Sequence, residues 1–169
     1  FEKGSVRTPE GYLEAWRSFC ADGWNGLACS GEWGGQGLPH FVHHMMREML
    51  VSGCLAFSLF HENNFGVVKA VSKHGTDEMK ALVLPHLVSG RWTGTMCLTE
   101  PHAGSDLGLI RTRAARRPDG SFAITGNKIF ISCGEHDLAE NIVHLVLARI
   151  QGAPPGTGGI SLFLVPKFR

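Results

Sequence analysis

The sequence predicts an α+β fold in which helices come first and strands second, and three observations carry that prediction. Apolar residues recur at the helical period of 3.6 up to His86-Leu87-Val88, and the period then changes to 2 from Trp92 onward. The punctuation changes with it, from helix caps to the Pro- and Gly-rich turns that separate short strands. The change of pattern puts a boundary near Gly90, with a partial helical domain over residues 1–90 and a partial strand-rich domain over residues 91–169.

Thr8, Pro9 and Glu10 supply a cap, a first-turn proline and an acidic residue at the positive end of a helix dipole. Tyr12, Leu13, Trp16, Phe19 and Cys20 then follow at helical spacing, and the helix is expected to stop near Asp22-Gly23. Five glycines between Trp24 and Gly37 predict a loop. Leu38-Pro39 opens a second helix, expected to run to about Phe60 through Met45, Met49, Ala56 and Leu59. Val67, Val68 and Val71 lead to a helix end at His74-Gly75, and Thr76 caps another helix through Met79, Leu82 and Leu87 to Gly90, kinked at Pro85. Beyond the boundary, residues 92–98 form a strand ended by Pro101, and residues 110–115 form a weaker one. Pro118-Asp119-Gly120 is a turn, residues 122–125 and 128–132 form a hairpin across Gly126-Asn127, and residues 142–150 and 160–165 are two apolar strands.

Composition removes several function classes. The 169 residues are 43% hydrophobic with a formal net charge of +1, so nothing points to nucleic acid or an acidic ligand. Five cysteines without a C-x-x-C pair fit neither a disulfide framework nor a zinc site, and predict a reducing compartment. No apolar run is long enough to span a membrane. The chain opens Phe1-Glu2-Lys3 without Met and closes on Lys167-Phe168-Arg169 directly after a strand, so both ends are expected to be cut from something longer.

The most informative stretch is Met96-Cys97-Leu98-Thr99-Glu100-Pro101-His102-Ala103-Gly104-Ser105-Asp106. A strand that ends at proline and opens into small residues offers backbone N–H groups and hydroxyls without bulk, which suits a flat polar ring or a phosphate. The same residues equally describe a strand-to-loop turn capped by Ser105 and Asp106. His40, His43 and His44 share a helix face, but no carboxylate or Cys nearby in sequence completes a metal site, so a surface or interface cluster is expected and no metal. Met45, Met46 and Met49 are expected in the helix core.

Taken together, the run Leu98-Thr99-Glu100-Pro101, then Ala103-Gly104-Ser105-Asp106, then Gly126-Asn127-Lys128-Ile129-Phe130-Ile131-Ser132 resembles the acyl-CoA dehydrogenase family. Trp33-Gly34-Gly35-Gln36-Gly37 and His74-Gly75-Thr76-Asp77-Glu78-Met79-Lys80 resemble its helical domain, and Gly159-Ile160-Ser161-Leu162-Phe163-Leu164-Val165 a later barrel strand. Residues 95–107, 132–138 and 140–149 are most similar to a larger bacterial branch of that family. The resemblance implies part of an N-terminal helical bundle followed by part of an antiparallel β-barrel, with the C-terminal helical domain absent.

It also implies FAD as cofactor, bound by Met96, Cys97, Leu98, Thr99, Gly104, Ser105, Phe130, Ile131 and Ser132. Backbone groups and the Thr99 hydroxyl would bond the pyrimidine edge of the isoalloxazine, Ser105 would touch the CoA arm or the cofactor, and Phe130 and Ser132 would lie by the ring and its N5. Many members carry Trp and Thr at the last two positions. The implied reaction is α,β-dehydrogenation of an acyl-CoA thioester, with a carboxylate removing the α-proton and hydride passing to N5. Glu100 is not that base, because the family places it on a later helical domain beyond Arg169. The resemblance further implies a homo-oligomer, an electron-transfer flavoprotein as acceptor, and a bacterial cytoplasmic or eukaryotic mitochondrial-matrix location. An oxidase or flavin monooxygenase of the same architecture, and a non-catalytic acyl-CoA-binding scaffold, are the alternatives.

Overall fold

A computed structural model describes residues 5–168; Phe1, Glu2, Lys3 and Arg169, the expected cut ends, lie outside the described residues. The helical part comprises α1 (Tyr12–Ala21), α2 (His40–Gly53), α3 (Leu55–His74) and α4 (Asp77–Val88). The strands are β1 (Trp92–Cys97), β2 (Arg113–Arg116), β3 (Phe122–Thr125), β4 (Asn141–Ile150) and β5 (Ile160–Pro166). Helices do precede strands, as expected. The sheet, however, is mixed rather than all antiparallel: β4 pairs parallel with both β1 and β2, and antiparallel with β5. Since β5 occupies one edge of β4 along residues 143–149, β1 and β2 lie end to end along the other.

Several local expectations shift, each for a physical reason. α1 starts one turn later than predicted, after Gly11 at φ 85°, because the Thr8 hydroxyl and N–H both donate to Asp137 Oδ1 (2.7 and 3.0 Å) instead of capping the helix. The expected long second helix is two helices. Cys54 adopts an extended conformation (φ −159°, ψ 99°) that ends α2 and restarts the chain as α3, which then continues unbroken to His74. The break resets the helical phase, so Met46 is buried while Met45 and Met49 are exposed, and α3 buries Phe57 and Phe60 rather than Ala56 and Leu59. Thr76 does cap α4, accepting from Met79 N–H, and the helix runs through Pro85. Its buried residues are Val83, Leu84, Leu87 and Val88, whereas Met79 and Leu82 face outward. β2 begins later than predicted and makes its hairpin with β3 around residues 117–121, while residues 128–132 form no strand.

Two apolar clusters hold these elements. One joins Val67, Val68 and Val71 of α3 and Val83, Leu84, Leu87 and Val88 of α4 to Val143 and Leu145 of β4, with Trp92 and Met96 of β1 packed against it. The other gathers Trp16, Phe57, Phe60 and Leu138. Asn25, buried in the loop after α1, ties the helices together. Its Nδ2 donates to the carbonyls of Leu87 and Val88 at the end of α4 (both 2.9 Å), and its Oδ1 accepts from His61 Nδ1 and Asn64 Nδ2 (both 3.2 Å). Helix-end carbonyls that the helix cannot pair internally are thereby satisfied, the Leu87 carbonyl accepting also from Asn64 Nδ2 (2.8 Å) and the Gly90 N–H (3.2 Å). Trp16 donates to the Gly90 carbonyl (3.2 Å), and Gly90 itself sits at φ 74° where a Cβ would approach Cys20 Sγ to 2.2 Å, so only glycine fits at this joint.

The closest approach of helix to sheet is at Gly94, where an added Cβ would lie 2.6 Å from Val67 Cβ. Val67 is β-branched and fixed in a helix, so it cannot swing away. Gly94→Ala is therefore expected to cost about 1–3 kcal/mol in urea unfolding. The penalty should shrink in a Val67→Ala background; equal penalties in both backgrounds would show that α3 does not rest on Gly94.

Candidate functional site

Strand alternation gives β1 two unlike faces. Met96 and Trp92 pack toward the helices, with Val143 and Leu145 of β4. Thr93, Thr95 and Cys97 occupy the other face, where the chain between β3 and β4 folds over them. Thr95 Oγ1 donates to the Ser132 carbonyl (2.7 Å), and Thr93 Oγ1 meets His136 Nε2 (2.9 Å). Because His136 Nδ1 accepts from the Leu138 N–H (3.1 Å), its proton sits on Nε2 and is given to Thr93. Burial pushes this imidazole down to about 4, so it stays neutral in its role as a bracket.

The same chain segment is fastened farther along. Ile129 N–H donates to the Thr99 carbonyl (3.0 Å) and Lys128 Nζ to the Leu98 carbonyl (3.0 Å). These bonds replace the hairpin expected for residues 128–132, and they force Phe130 and Cys133 to positive φ (56° and 57°). Such backbone is costly for residues with a side chain and persists only when the surroundings impose it. Its result is a Phe130 ring that is 87% exposed, directly beside β1.

Glu100 holds the start of the loop. It is buried, its two oxygens accept from the N–H groups of Arg111 (2.7 Å) and Thr112 (3.0 Å), and Lys128 Nζ lies 2.9 Å from Oε1. Its backbone bridges to Ala103 in both directions (2.7 and 3.0 Å), which turns the loop back over Thr99, so that a Cβ on Gly104 would come 3.3 Å from Thr99 Cγ2. Burial by itself would raise the Glu100 carboxyl, but hydrogen bonds from Thr112, Arg111 and Lys128 outweigh it and hold the group at about 2. Beside this pin a cleft of about 270 Å³ opens, lined in part by His102, Arg111 and Asn127.

The structure thus brings Leu98, Thr99 and Gly104 together with the segment carrying Phe130, Ile131 and Ser132. Gly104, Ser105 and Ser132 are exposed on this ledge. Two of the predicted side chains are directed elsewhere: Met96 packs on the helical core, and Cys97 is buried with Sγ 3.8 Å from His144 Nδ1, so neither side chain is on the ledge. Burial pushes the Cys97 thiol up, which leaves it unreactive. The sequence reads Glu100 as a solvated or salt-bridged residue rather than a base, and it is salt-bridged; Lys128, Thr95 and His136 are assigned no part in the sequence reading. The alternation Thr93, Thr95, Cys97 was a usable signal for a polar strand face; the pairing of Glu100 with Lys128 across 28 residues had none.

His43, expected with His40 and His44 in a surface or interface cluster, is buried between α2 and α3, and a carboxylate from α3, Glu62, lies beside it. No helix among the described residues is long and apolar enough to cross a membrane. All five cysteines are free.

Comparison with known proteins matches residues 4–91 to the acyl-CoA dehydrogenase N-terminal domain and residues 95–169 to the acyl-CoA dehydrogenase middle domain. The chain is 50% identical over 166 residues to 3-methylmercaptopropionyl-CoA dehydrogenase of Ruegeria pomeroyi, covering 98% of this chain and 28% of that protein. It is 39% identical to the broad-specificity linear acyl-CoA dehydrogenase FadE5 of Mycobacterium tuberculosis, covering 97% of this chain and 27% of the relative. Its fold is similar to glutaryl-CoA dehydrogenase of Mycobacterium smegmatis in complex with FADH2, with a TM-score of 0.78 and 28% identity over 96% of this chain and 38% of that one. The chain therefore spans under a third of the length of the first two relatives.

The Glu100 pin has a pH signature. The carboxyl is held at about 2 against an ordinary 4.5, so its contribution is complete above pH 4.5 and is lost as pH falls toward 2. The difference corresponds to about 3 kcal/mol. Glu100→Gln should cost about that much at pH 7 and flatten the stability profile between pH 4.5 and 2, as read by urea unfolding at each pH. A variant as stable and as acid-sensitive as the parent would show that Glu100 pins nothing.

Proposed function

Because the chain belongs to the acyl-CoA dehydrogenase family, we propose that it forms the flavin-facing part of an enzyme that removes hydrogens from the α and β carbons of acyl-CoA thioesters. The observation that carries this reading is the ledge itself: residues 128–132 are drawn onto β1 and the two residues after it by three hydrogen bonds, to Thr95, Leu98 and Thr99, leaving Phe130 and Ser132 exposed.

The ledge suits FAD. β1 is the last strand of its sheet, so its outer row of backbone groups has no strand partner among the described residues. Gly104 keeps side-chain bulk away from Thr99, and Phe130 presents a flat apolar face to solvent. FAD, when bound, supplies the hydride acceptor. The backbone of residues 96–99 and the Thr99 hydroxyl would hold the pyrimidine edge of its ring, where negative charge gathers on reduction. Donors fixed in advance by Glu100 need no rearrangement at that moment. Phe130 would pack on the ring, Ser132 would offer its hydroxyl to the hydride-accepting nitrogen, and Ser105 would meet the CoA arm or the cofactor.

The proton-removing carboxylate is supplied by chain outside residues 1–169. Glu100 is excluded on physical grounds, since a buried carboxylate held at about 2 by Thr112, Arg111 and Lys128 is a poor base. The 50% identity to 3-methylmercaptopropionyl-CoA dehydrogenase supports a short acyl-CoA substrate. An electron-transfer flavoprotein is the proposed acceptor.

Anaerobic addition of short acyl-CoA thioesters to the intact parent enzyme, 3-methylmercaptopropionyl-CoA among them, should bleach its flavin absorbance. Thr99→Ala and Ser132→Ala should each slow that bleaching by about 10- to 100-fold. A flavin that no thioester reduces would favour a non-catalytic scaffold. The 169-residue chain alone is expected to emerge from gel filtration with little flavin. Stoichiometric yellow protein would refute the shared-site reading.

A further inference from the structure

A second constellation lies away from the ledge, between α2 and α3. His43, His61 and Glu62 each offer one ligand atom, and these atoms all lie within 4.8 Å of one another. Both histidines are buried, at 2% and 0% exposure, and His43 Nδ1 and His61 Nε2 have no hydrogen-bond partner. A buried polar atom left unmade costs about 1–3 kcal/mol. Two of them facing one carboxylate call for an explanation.

The protonation of His61 follows from its neighbours. Asn25 Nδ2 is committed to two helix-end carbonyls, so Asn25 Oδ1 is the acceptor for His61, and the His61 proton is on Nδ1. Nε2 then carries a bare lone pair. This is the arrangement of a metal-binding imidazole whose second nitrogen is oriented by an outer partner. The His43 ring is fixed as well, stacked on Phe65 at 3.9 Å between centroids. Burial holds His61 at about 3 and lowers His43 despite the opposing pull of Glu62, so neither nitrogen must shed a proton at neutral pH. Glu62 is partly exposed and its Oε1 pairs with Arg47 Nε at 2.7 Å, so an incoming cation displaces that guanidinium or takes the other carboxylate oxygen.

We propose that His43, His61 and Glu62 bind a divalent cation of the zinc class, which clamps α2 onto α3. Two imidazoles and a carboxylate form a donor set that zinc accepts with a fourth position left to water. Tetrahedral ligands stand about 3.3 Å apart, so the three side chains close inward on binding. The clamp has a mechanical reason. α2 buries only His43 and Met46, while Phe41, Met45 and Met49 on the same helix are 70%, 52% and 66% exposed, so its attachment through apolar contact is slight.

The full-length protein should be stripped with chelator, incubated with zinc chloride and gel-filtered, and its metal counted by mass spectrometry. About one zinc per chain beyond the content of the variants is expected. His43→Gln and Glu62→Gln should each weaken binding by about 100-fold or more, since loss of even an outer partner costs up to that much. Zinc should raise the thermal midpoint of the parent and leave both variants unmoved, and cobalt should give visible four-coordinate absorption in the parent alone. Glu62 is partly exposed, so Glu62→Gln decides the matter if His43→Gln fails to fold. Zinc retained equally by the parent and Glu62→Gln would assign it to surface histidines and overturn the proposal. Retention of none, with a water bridging the three groups, would overturn it too.

Discussion

One buried carboxylate organises the ledge. Glu100 sits where β1 ends, and its four contacts reach three separate pieces of chain: the loop it begins, the approach to β2, and Lys128 beyond β3. Remove the charge and Lys128, itself largely buried, is left without its counter-ion and has less reason to lie against the Leu98 carbonyl. Residues 128–132 would then lose one of the bonds that hold Phe130 in its strained conformation. The exposed positions of the ledge are thus set by a residue that is itself buried.

The helical half depends on a comparable device built from neutral groups. Asn25 gathers the end of α4, the middle of α3 and, through His61, the neighbourhood of α2. Both hubs are polar side chains in dry surroundings. Each is satisfied by a mixture of backbone and side-chain groups, which makes the arrangement specific as well as stable. Apolar burial supplies the bulk of the attraction between helices and sheet; the two hubs decide the register in which it is collected.

Much of this was legible in the sequence, and the boundary between the legible and the hidden has a physical meaning. The order of elements, the Thr76 cap, β1, β4 and β5 all follow from local pattern, because caps, turns and apolar alternation are written in residues close along the chain even where the stabilising partners are distant. The break at Cys54 was hidden, since no proline marks it and an apolar pattern can be read straight through Gly53 and Cys54, although the helical phase changes there. The hairpin assigned to residues 128–132 failed for the opposite reason: its β-forming composition is overridden by Lys128 and Ile129 bonding to β1. Parallel pairing of β1 and β2 with β4 cannot be inferred from alternation, which is the same for either direction. Most of the proposed flavin contacts came from motif resemblance, and the parts that hold them in place, Glu100, Lys128, Thr95 and His136, are long-range partners that no local pattern announces.

The end-to-end placement of β1 and β2 on one edge of β4 also bears on how such a protein can diversify. The chain leaves the sheet after Cys97 and rejoins the same edge, in the same direction, at Arg113. Everything between is an excursion whose two ends are fixed by Glu100 and by the N–H groups of Arg111 and Thr112. Lengthening such an excursion is entropically cheap, about 0.6 kcal/mol for a doubling. Mutation can therefore rewrite the exposed tip around Gly104 and Ser105, and with it what the ledge meets, while strand order is inherited unchanged.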